Sequence, residues 1–400
     1  MKHITVVGAS LAGLSAVRSL RTEGYDGGIT VVGEELHRPY DRPPLSKAYL
    51  KGDITADALA LGDAEEYEEL GVQWELGQRA VHLDCSTTSV ILANGRRIDT
   101  DGVVVATGST ARRLPGTEGL AGVHTLRTLD DARSLRTELV SGAPRMVVIG
   151  AGFIGAEVAA TAHHLGLDVT VVEALATPLE RQLGAEMGRV CAALHTDHGV
   201  RLLCGTGVAE LESGGGRVTG VRLTDGRLLP ADIVLVGVGA RPVDDWLADS
   251  GVWVDNGVVC DAGGASSVPN VVAVGDVARR PHPFTGRHAR IEHWSNAAES
   301  AATAARTLLT GHSATPRATP PSFWSDQYDV RIQLAGRVNP GAELELVEGT
   351  YESRSFAALY REDGAPTAVL AMNRSKIFNR LRRTLIPATV PSTERIAPAA

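Results

Sequence analysis

The 400-residue sequence predicts an α/β protein. It reads as two Rossmann-like dinucleotide-binding domains followed by a smaller α+β domain built on an antiparallel sheet. Three observations carry this reading. VVGASLAG (6–13) and VVIGAGFIG (147–155) are each a β-branched apolar run that turns through spaced glycines into a helix-forming segment. The leading glycines, Gly8 and Gly150, lie 142 residues apart, and each unit is followed by a second apolar strand ending in acid. Beyond the Pro-rich stretch TPRATPPS (315–322), long apolar strands give way to short alternating segments.

The elements follow in chain order. ITVVGASLAGLSAVRSLR is strand, glycine turn and helix, and ITVVGEE (29–35) is the next strand. DGVVVATGST (101–110) is a buried strand running into a Thr-Gly turn. Residues 145–173 repeat the scheme, so the chain contains an internal repeat of one βαβ unit. ADIVLVGVGARP (231–242) and VPNVVAVGDVA (268–278) are further buried strands, and WSNAAESAATAARTLLTG (294–311) is an Ala-rich helix. VRIQLAG, AELELVEG, SFAALYRED and PTAVLAM, separated by the turns NPG and EDG, predict the antiparallel sheet. PATVPSTERIAPAA (387–400) reads as a loose tail.

Composition narrows the function classes. With 44% hydrophobic and 22% charged residues, this is an ordinary globular chain. A net charge of −8 disfavours nucleic acid and anionic lipid as partners. No apolar run reaches the roughly 18–20 residues of a membrane span, and the N-terminus reads as a strand and turn rather than a signal peptide. The four cysteines, Cys85, Cys191, Cys204 and Cys260, form neither C-x-x-C nor a disulfide framework, which fits a reducing cytoplasm. The pairs His163–His164 and His195-x-x-His198 lack a third ligand nearby, so no metal site is expected.

Each glycine turn brings backbone close to a pyrophosphate, and the helix behind it offers free N–H groups and a positive dipole end. At the first turn the parts are Gly8, Ser10, Ala12, Gly13 and the ribose acid Glu34, 21 residues past Gly13. Serine replaces the middle glycine there, so its side chain must point away or donate to phosphate. At the second turn they are Gly150, Gly152, Phe153, Ile154, Gly155 and Glu173, 18 residues past Gly155. Two turns with two acids suit a resident FAD and an exchanging nicotinamide nucleotide. Asp276, at the end of the strand in AVGDVA, is placed to hold the ribityl chain. The helix after it is placed to aim its positive end at the flavin. Glu173 favours a free 2′-hydroxyl and repels a 2′-phosphate, and ALATP after it brings no base, so NADH is expected over NADPH.

PYDRPPLSKAYL (39–50), VVVATGS (103–109), TLRTLDDA (125–132), GAGFIGAEVAATA (150–162), VGDVA (274–278) and PSFWSDQY (321–328) together resemble the FAD-dependent ferredoxin reductases that serve bacterial oxygenases. The resemblance spans residue 3 to about 375. It implies a glutathione-reductase-like fold with an FAD domain (1–110 and 240–315), an NADH domain (111–239) and a C-terminal interface domain (316–400). It also implies that Lys47 lies near flavin N5 paired with Glu157, and that Arg42, Ala80, Arg127 and Trp294 contact FAD. By the same match Gly237 and Gly239 approach the nicotinamide, and Trp324 shapes the flavin edge. Physical chemistry agrees on Lys47, because a buried lysine needs a carboxylate or loses its charge.

Disulfide reductases of related fold carry redox cysteines where this chain has RPPLSKAYLK. Electrons are therefore expected to leave the flavin directly, for a one-electron [2Fe–2S] ferredoxin-type partner. Such partners are usually acidic. RSKIFNRLRR, with Arg374, Lys376, Arg380, Arg382 and Arg383 and no acid, is one candidate docking patch. Arg279, Arg280, Arg287 and Arg290 form a second. A rubredoxin, quinone or radical reductase of the same fold, and a redox-sensing NADH-binding flavoprotein, stay open. So does the choice between a monomer and a weak homodimer.

Overall fold

Valine-rich runs too short for helices and apolar on both faces form central parallel strands. In the computed structural model, which describes residues 1–142 and 144–385, this produces two parallel five-stranded sheets. The first runs in the order Val271–Ala273, Gly102–Val105, His3–Val7, Gly28–Gly33, Val72–Leu76. His3–Val7 is its centre, paired in register from Ile4 to Val7 with Ile29–Val32 on one side and Gly102–Val105 on the other. The chain leaves that central strand in one direction and returns on its far side. The crevice at this switch point opens beyond the carboxyl ends of the strands. Helices Leu11–Thr22 and Trp294–Thr310 pack on the sheet through small residues, among them Ala12, Ala16, Ala297, Ala301 and Ala304.

The second sheet runs Arg201–Cys204, Asp168–Glu173, Arg145–Ile149, Ile233–Val236, Val123–His124. Helix Phe153–His164 follows its central strand, as Leu11–Thr22 does in the first. The chain crosses between the sheets twice. The crossings, Ser109–Ala111 and Ala240–Pro242, pair antiparallel, Thr110 opposite Arg241. Both carboxyl edges thereby face one cleft.

The C-terminal sheet is antiparallel, in the order Ser322–Gln327, Val330–Gly336, Ala365–Met372, Ser355–Glu362, Glu343–Thr350. Strand alternation divides its side chains between two cores. Phe356, Ala358 and Tyr360 pack with helix Glu180–Asp197, while Ala357 and Leu359 pack with helix Ser375–Arg382. Strand Ser322–Gln327, which the alternation pattern had not marked, forms one edge of this sheet. The predicted tail at 387–400 lies outside the described residues. Among the described residues, no helix is long and apolar enough to cross a membrane.

Candidate cofactor cleft

The two glycine turns have nearly the same geometry. Gly8 N–H donates to Val32 O at 2.7 Å, and Gly150 N–H donates to Val172 O at 2.8 Å. Both glycines have positive φ, +123° and +97°. A Cβ on either would meet a carbonyl on the neighbouring strand or loop, Ala106 O at 2.1 Å or Gly237 O at 2.4 Å. One helical turn later a Cβ on Gly13 would lie 1.9 Å from Gly8 O, and one on Gly155 would lie 2.1 Å from Gly150 O. Gly13 and Gly155 therefore let each helix approach its turn, and neither lines the cleft itself. The helices that start at Leu11 and Phe153 have no side-chain cap, so their first N–H groups are left for a ligand.

The cleft between the turns has a volume of about 1590 Å³. That exceeds the roughly 300–1,000 Å³ of a pocket built for one ligand. Its walls include Gly8, Ser10, Ala12, Glu34 and Ala80 from the first unit and Gly150, Gly152, Phe153, Ile154 and Glu173 from the second. Gly237 and Gly239 close it from the strand that follows. Every other predicted cofactor residue, Arg42, Lys47, Arg127, Asp276 and Trp294, faces it as well.

A charged network braces the first turn. Arg42 donates to Ser10 Oγ at 3.2 Å, to Arg127 O at 2.7 Å, to the Tyr40 hydroxyl at 3.0 Å and to Glu35 Oε1 at 2.6 Å. Tyr40 donates to Glu35 Oε2 at 2.5 Å and accepts from Leu129 N–H at 2.8 Å; burial raises its phenol well above the ordinary range. Arg127 and Ser109 both donate to Asp276 Oδ2, at 2.8 and 3.0 Å. Trp294, 40% exposed at the rim, donates its indole N–H to Asp41 at 2.8 Å. Glu34 stands exposed on the cleft wall, and its neighbour Glu35, unmarked in the sequence reading, is the acid that holds Arg42.

The second turn is bare by comparison. A Cβ at Gly152 would meet nothing within 4 Å. Glu173 reaches back over the turn and accepts from Ala151 N–H at 2.8 Å and Leu175 N–H at 2.9 Å.

Between the turns, Lys47 Nζ lies 2.6 Å from Glu157 Oε2. Glu157 is 3% exposed and joins a 3₁₀ turn of the first unit to the first helix of the second. At the far wall His293 caps no N–H of helix Trp294–Thr310, and its Nδ1 has no partner. Burial lowers that imidazole to about 4, against the pull of Asp276, so it is neutral at neutral pH.

All four cysteines are free, and none lines the cleft. Burial pushes the Cys191 and Cys260 thiols up to about 12, far from any reactive thiolate. Three of the four histidines flagged in the sequence surround Tyr328: His195 Nδ1 lies 2.8 Å from its hydroxyl, His198 stacks on its ring at 4.1 Å and His163 lies edge-on at 6.1 Å, while His164 is exposed. Among the described residues no group of three or more His, Cys, Asp or Glu gathers to hold a metal.

Of the basic patches, Arg374, Lys376, Arg380 and Arg383 are exposed on or beside helix Ser375–Arg382, which anchors itself through buried Phe378. Arg382 bends inward and donates to Pro320 O at 3.4 Å. The second patch is smaller than expected. Arg280 is 7% exposed and donates to Asn296 Oδ1, and Arg279 and Arg290 are paired with Asp255 and Glu292.

A family model described as pyridine nucleotide-disulphide oxidoreductase matches residues 2–301, and one described as reductase C-terminal matches residues 322–400. The chain belongs to the pyridine nucleotide-disulphide oxidoreductase family. Within that family it is 40% identical to rhodocoxin reductase of Rhodococcus erythropolis, over 88% of this chain and 82% of the relative. It is 36% identical to the benzene 1,2-dioxygenase system ferredoxin–NAD(+) reductase subunit of Pseudomonas putida, over 99% and 95%. Among solved structures, the covalent putidaredoxin reductase–putidaredoxin complex superposes with a TM-score of 0.90 at 35% identity, covering 96% of this chain and 92% of that one. The resemblance to ferredoxin reductases of oxygenase systems, and the glutathione-reductase-like fold it implied, are borne out. The family name refers to a disulphide that this chain lacks.

Proposed function

We propose that this protein carries electrons from NADH through a resident FAD to a small [2Fe–2S] ferredoxin that feeds an oxygenase. The observation that carries this reading is the Lys47–Glu157 pair, set between two dinucleotide turns in one cleft without a thiol. The residues fit the two cofactors. Each turn offers uncapped helix N–H groups and glycines that let strand, turn and helix approach closely, and the space over Gly152 in the second is open for a phosphate. Arg42, Arg127 and Asp276 would hold FAD in the first unit, with Trp294 at its edge. Gly150, Gly152 and Glu173 would hold the nicotinamide nucleotide in the second, with Gly237 and Gly239 beneath it. A bound flavin supplies the exchange between two-electron and one-electron chemistry.

The chain's own residues then have separable tasks. Lys47 places its ammonium where the two cofactor sites meet, and Glu157 pairs with that lysine and fixes its direction. The uncapped start of helix Trp294–Thr310 directs a positive dipole end into the cleft, and neutral His293 adds no charge of its own there. The aliphatic and aromatic wall, including Phe153 and Phe323, excludes water from the junction. The division of labour follows the units 1–110 with 240–315, 111–239 and 316–400, and the exposed basic helix after residue 374 is the docking surface for an acidic partner. Four unpaired cysteines fit a cytoplasmic setting.

Anaerobic mixing with NADH, followed by an oxidised [2Fe–2S] protein, tests this reading. Bleaching of the flavin and then reoxidation with reduction of the iron–sulfur protein is expected. Bleaching with reoxidation only by quinone or rubredoxin would move the protein to another reductase class. A slowly formed, long-lived complex with oxidised nicotinamide would favour a sensing role.

A further inference from the structure

Among the described residues, every donor to the Glu157 carboxylate comes from outside its own unit. Lys47 Nζ donates to Oε2 at 2.6 Å and Ser46 Oγ to the same oxygen at 2.5 Å. The other oxygen, Oε1, accepts from Ser325 Oγ at 2.6 Å. Ser325 belongs to the edge strand of the C-terminal sheet, 168 residues further along the chain. Neither Glu157 nor Ser325 is open to solvent, at 3% and 0% exposed. The direction of each bond is fixed. Gln327 Nε2 donates to Ser325 Oγ at 3.2 Å, so the single hydroxyl proton of Ser325 goes to the carboxylate. Lys47 spends its remaining N–H groups on Pro43 O at 2.9 Å and Ser46 Oγ at 3.3 Å. Thr161, one helical turn beyond Glu157, holds Ser46 in turn by donating to its carbonyl at 2.8 Å.

The register explains why a serine from so far away arrives there. Residues i and i+4 of a helix lie about 6 Å apart along the axis. Residues i and i+2 of a strand lie about 6.8 Å apart on one face. Strand Ser322–Gln327 lies along helix Phe153–His164 with these repeats matched. Phe323 packs on Phe153 with ring centroids 4.5 Å apart, and two residues on, Ser325 meets Glu157, four residues after Phe153. A slip of one residue would present Trp324 or Asp326 instead, and Asp326 would set a second carboxylate against the first.

We propose that Ser325 is a positioning residue for the reaction. The C-terminal domain, through this one hydroxyl, fixes the orientation of the Glu157 carboxylate and so holds Lys47 in place at the cofactor junction. The inference rests on the functional reading above and adds a residue to it. Without the hydroxyl, Oε1 loses its donor, Glu157 is held through Oε2 alone by Lys47 and Ser46, and its carboxylate is free to turn away from the lysine.

The test uses the FAD-loaded protein and three variants, Ser325→Ala, Ser325→Cys and Ser325→Thr. Cysteine keeps the volume with a weak donor, and threonine keeps the hydroxyl. At saturating NADH, anaerobic flavin bleaching is expected to slow about tenfold in the Ala and Cys variants, the scale of one hydrogen bond to a charged group. NADH affinity, read from the concentration dependence, is expected to stay within about twofold, because Ser325 acts at the junction and not on the nucleotide. The midpoint potential of bound FAD is expected to fall by about 30 mV, the equivalent of a tenfold change in a two-electron equilibrium. The Thr variant is expected to recover rate and potential. Wild-type rate and potential in Ser325→Cys would overturn the proposal, as would equal slowing in all three variants. Wild-type protein that fails to bind FAD or to bleach with NADH would instead overturn the functional reading beneath it.

Discussion

The two glycine turns share strand, turn, helix and close approach, yet their surroundings differ. The first is enclosed by Arg42, Tyr40, Glu35, Arg127 and Asp276, contributed by segments spread over more than two hundred residues. The second carries one acid, Glu173, and open space over Gly152. A turn braced from several segments retains its ligand, because release must break a network joined across the chain. A bare turn exchanges its ligand, because nothing else must move. On the proposed reading the same βαβ unit serves as a permanent holder in one place and a landing site in another, with the bracing as the difference between them.

The sharpest way to break this comparison is at the point where the turns meet. Lys47→Ala is expected to slow flavin reduction by NADH on the order of 10²-fold, the cost of removing one preorganised charge from a closed site. FAD content is expected to survive, which stopped-flow and absorbance measurements would check. Next in size, Gly13→Ala and Gly155→Ala introduce the same close contact, 1.9 and 2.1 Å from a carbonyl, into the two turns. The first is expected to yield largely colourless protein. The second is expected to stay yellow and to lose NADH affinity by about tenfold or more. Equal loss of colour in both would erase the distinction between holder and landing site. A smaller effect is expected at Glu173. Wild-type protein should favour NADH over NADPH, and Glu173→Ala should reduce that preference about tenfold in kcat/KM, the worth of one polar contact plus one repulsion removed. Comparable kcat/KM for both nucleotides in the wild type would refute the reading of that acid.

Much of this was legible in the sequence. Both turns and the strands at 330–336 and 366–372 announce themselves through local pattern, because a βαβ unit and an alternating strand are local objects. Ser322–Gln327 carries an aromatic and polar mixture with no clean alternation, and only its neighbours make it a strand. The Arg42–Glu35 bond was hidden behind the more conventional choice of Glu34. Ser46 and Ser325 were hidden because a hydroxyl reveals its use only when a partner 111 or 168 residues away folds against it. Arg280 shows the converse: counting charges in a patch cannot tell which of them the fold buries.

Smaller still are the effects at the surface and in acid. Reversing Lys376 and Arg380 to glutamate is expected to raise the KM for an acidic ferredoxin several-fold and to flatten its dependence on salt. Turnover that is flat from low to high ionic strength in the wild type would remove the basic helix from the account. Burial holds His195, His282 and His293 at about 4, below the ordinary imidazole value near 6.5. The unfolded chain binds more protons than the folded one between those values. Stability is therefore expected to be full above about pH 6.5 and to fall as pH drops toward 4. Thermal unfolding followed across that range checks it, and a melting temperature constant from pH 7 to 4.5 would contradict it.

The most direct measurement of the central claim is an anaerobic titration of the FAD-loaded protein with its two partly exposed cysteines, Cys85 and Cys204, alkylated. The account predicts that NADH still bleaches the flavin and that two molecules of [2Fe–2S] ferredoxin are reduced for each NADH consumed, at a rate within about twofold of untreated protein. Loss of turnover on alkylation, or protein that takes up no FAD, would contradict it.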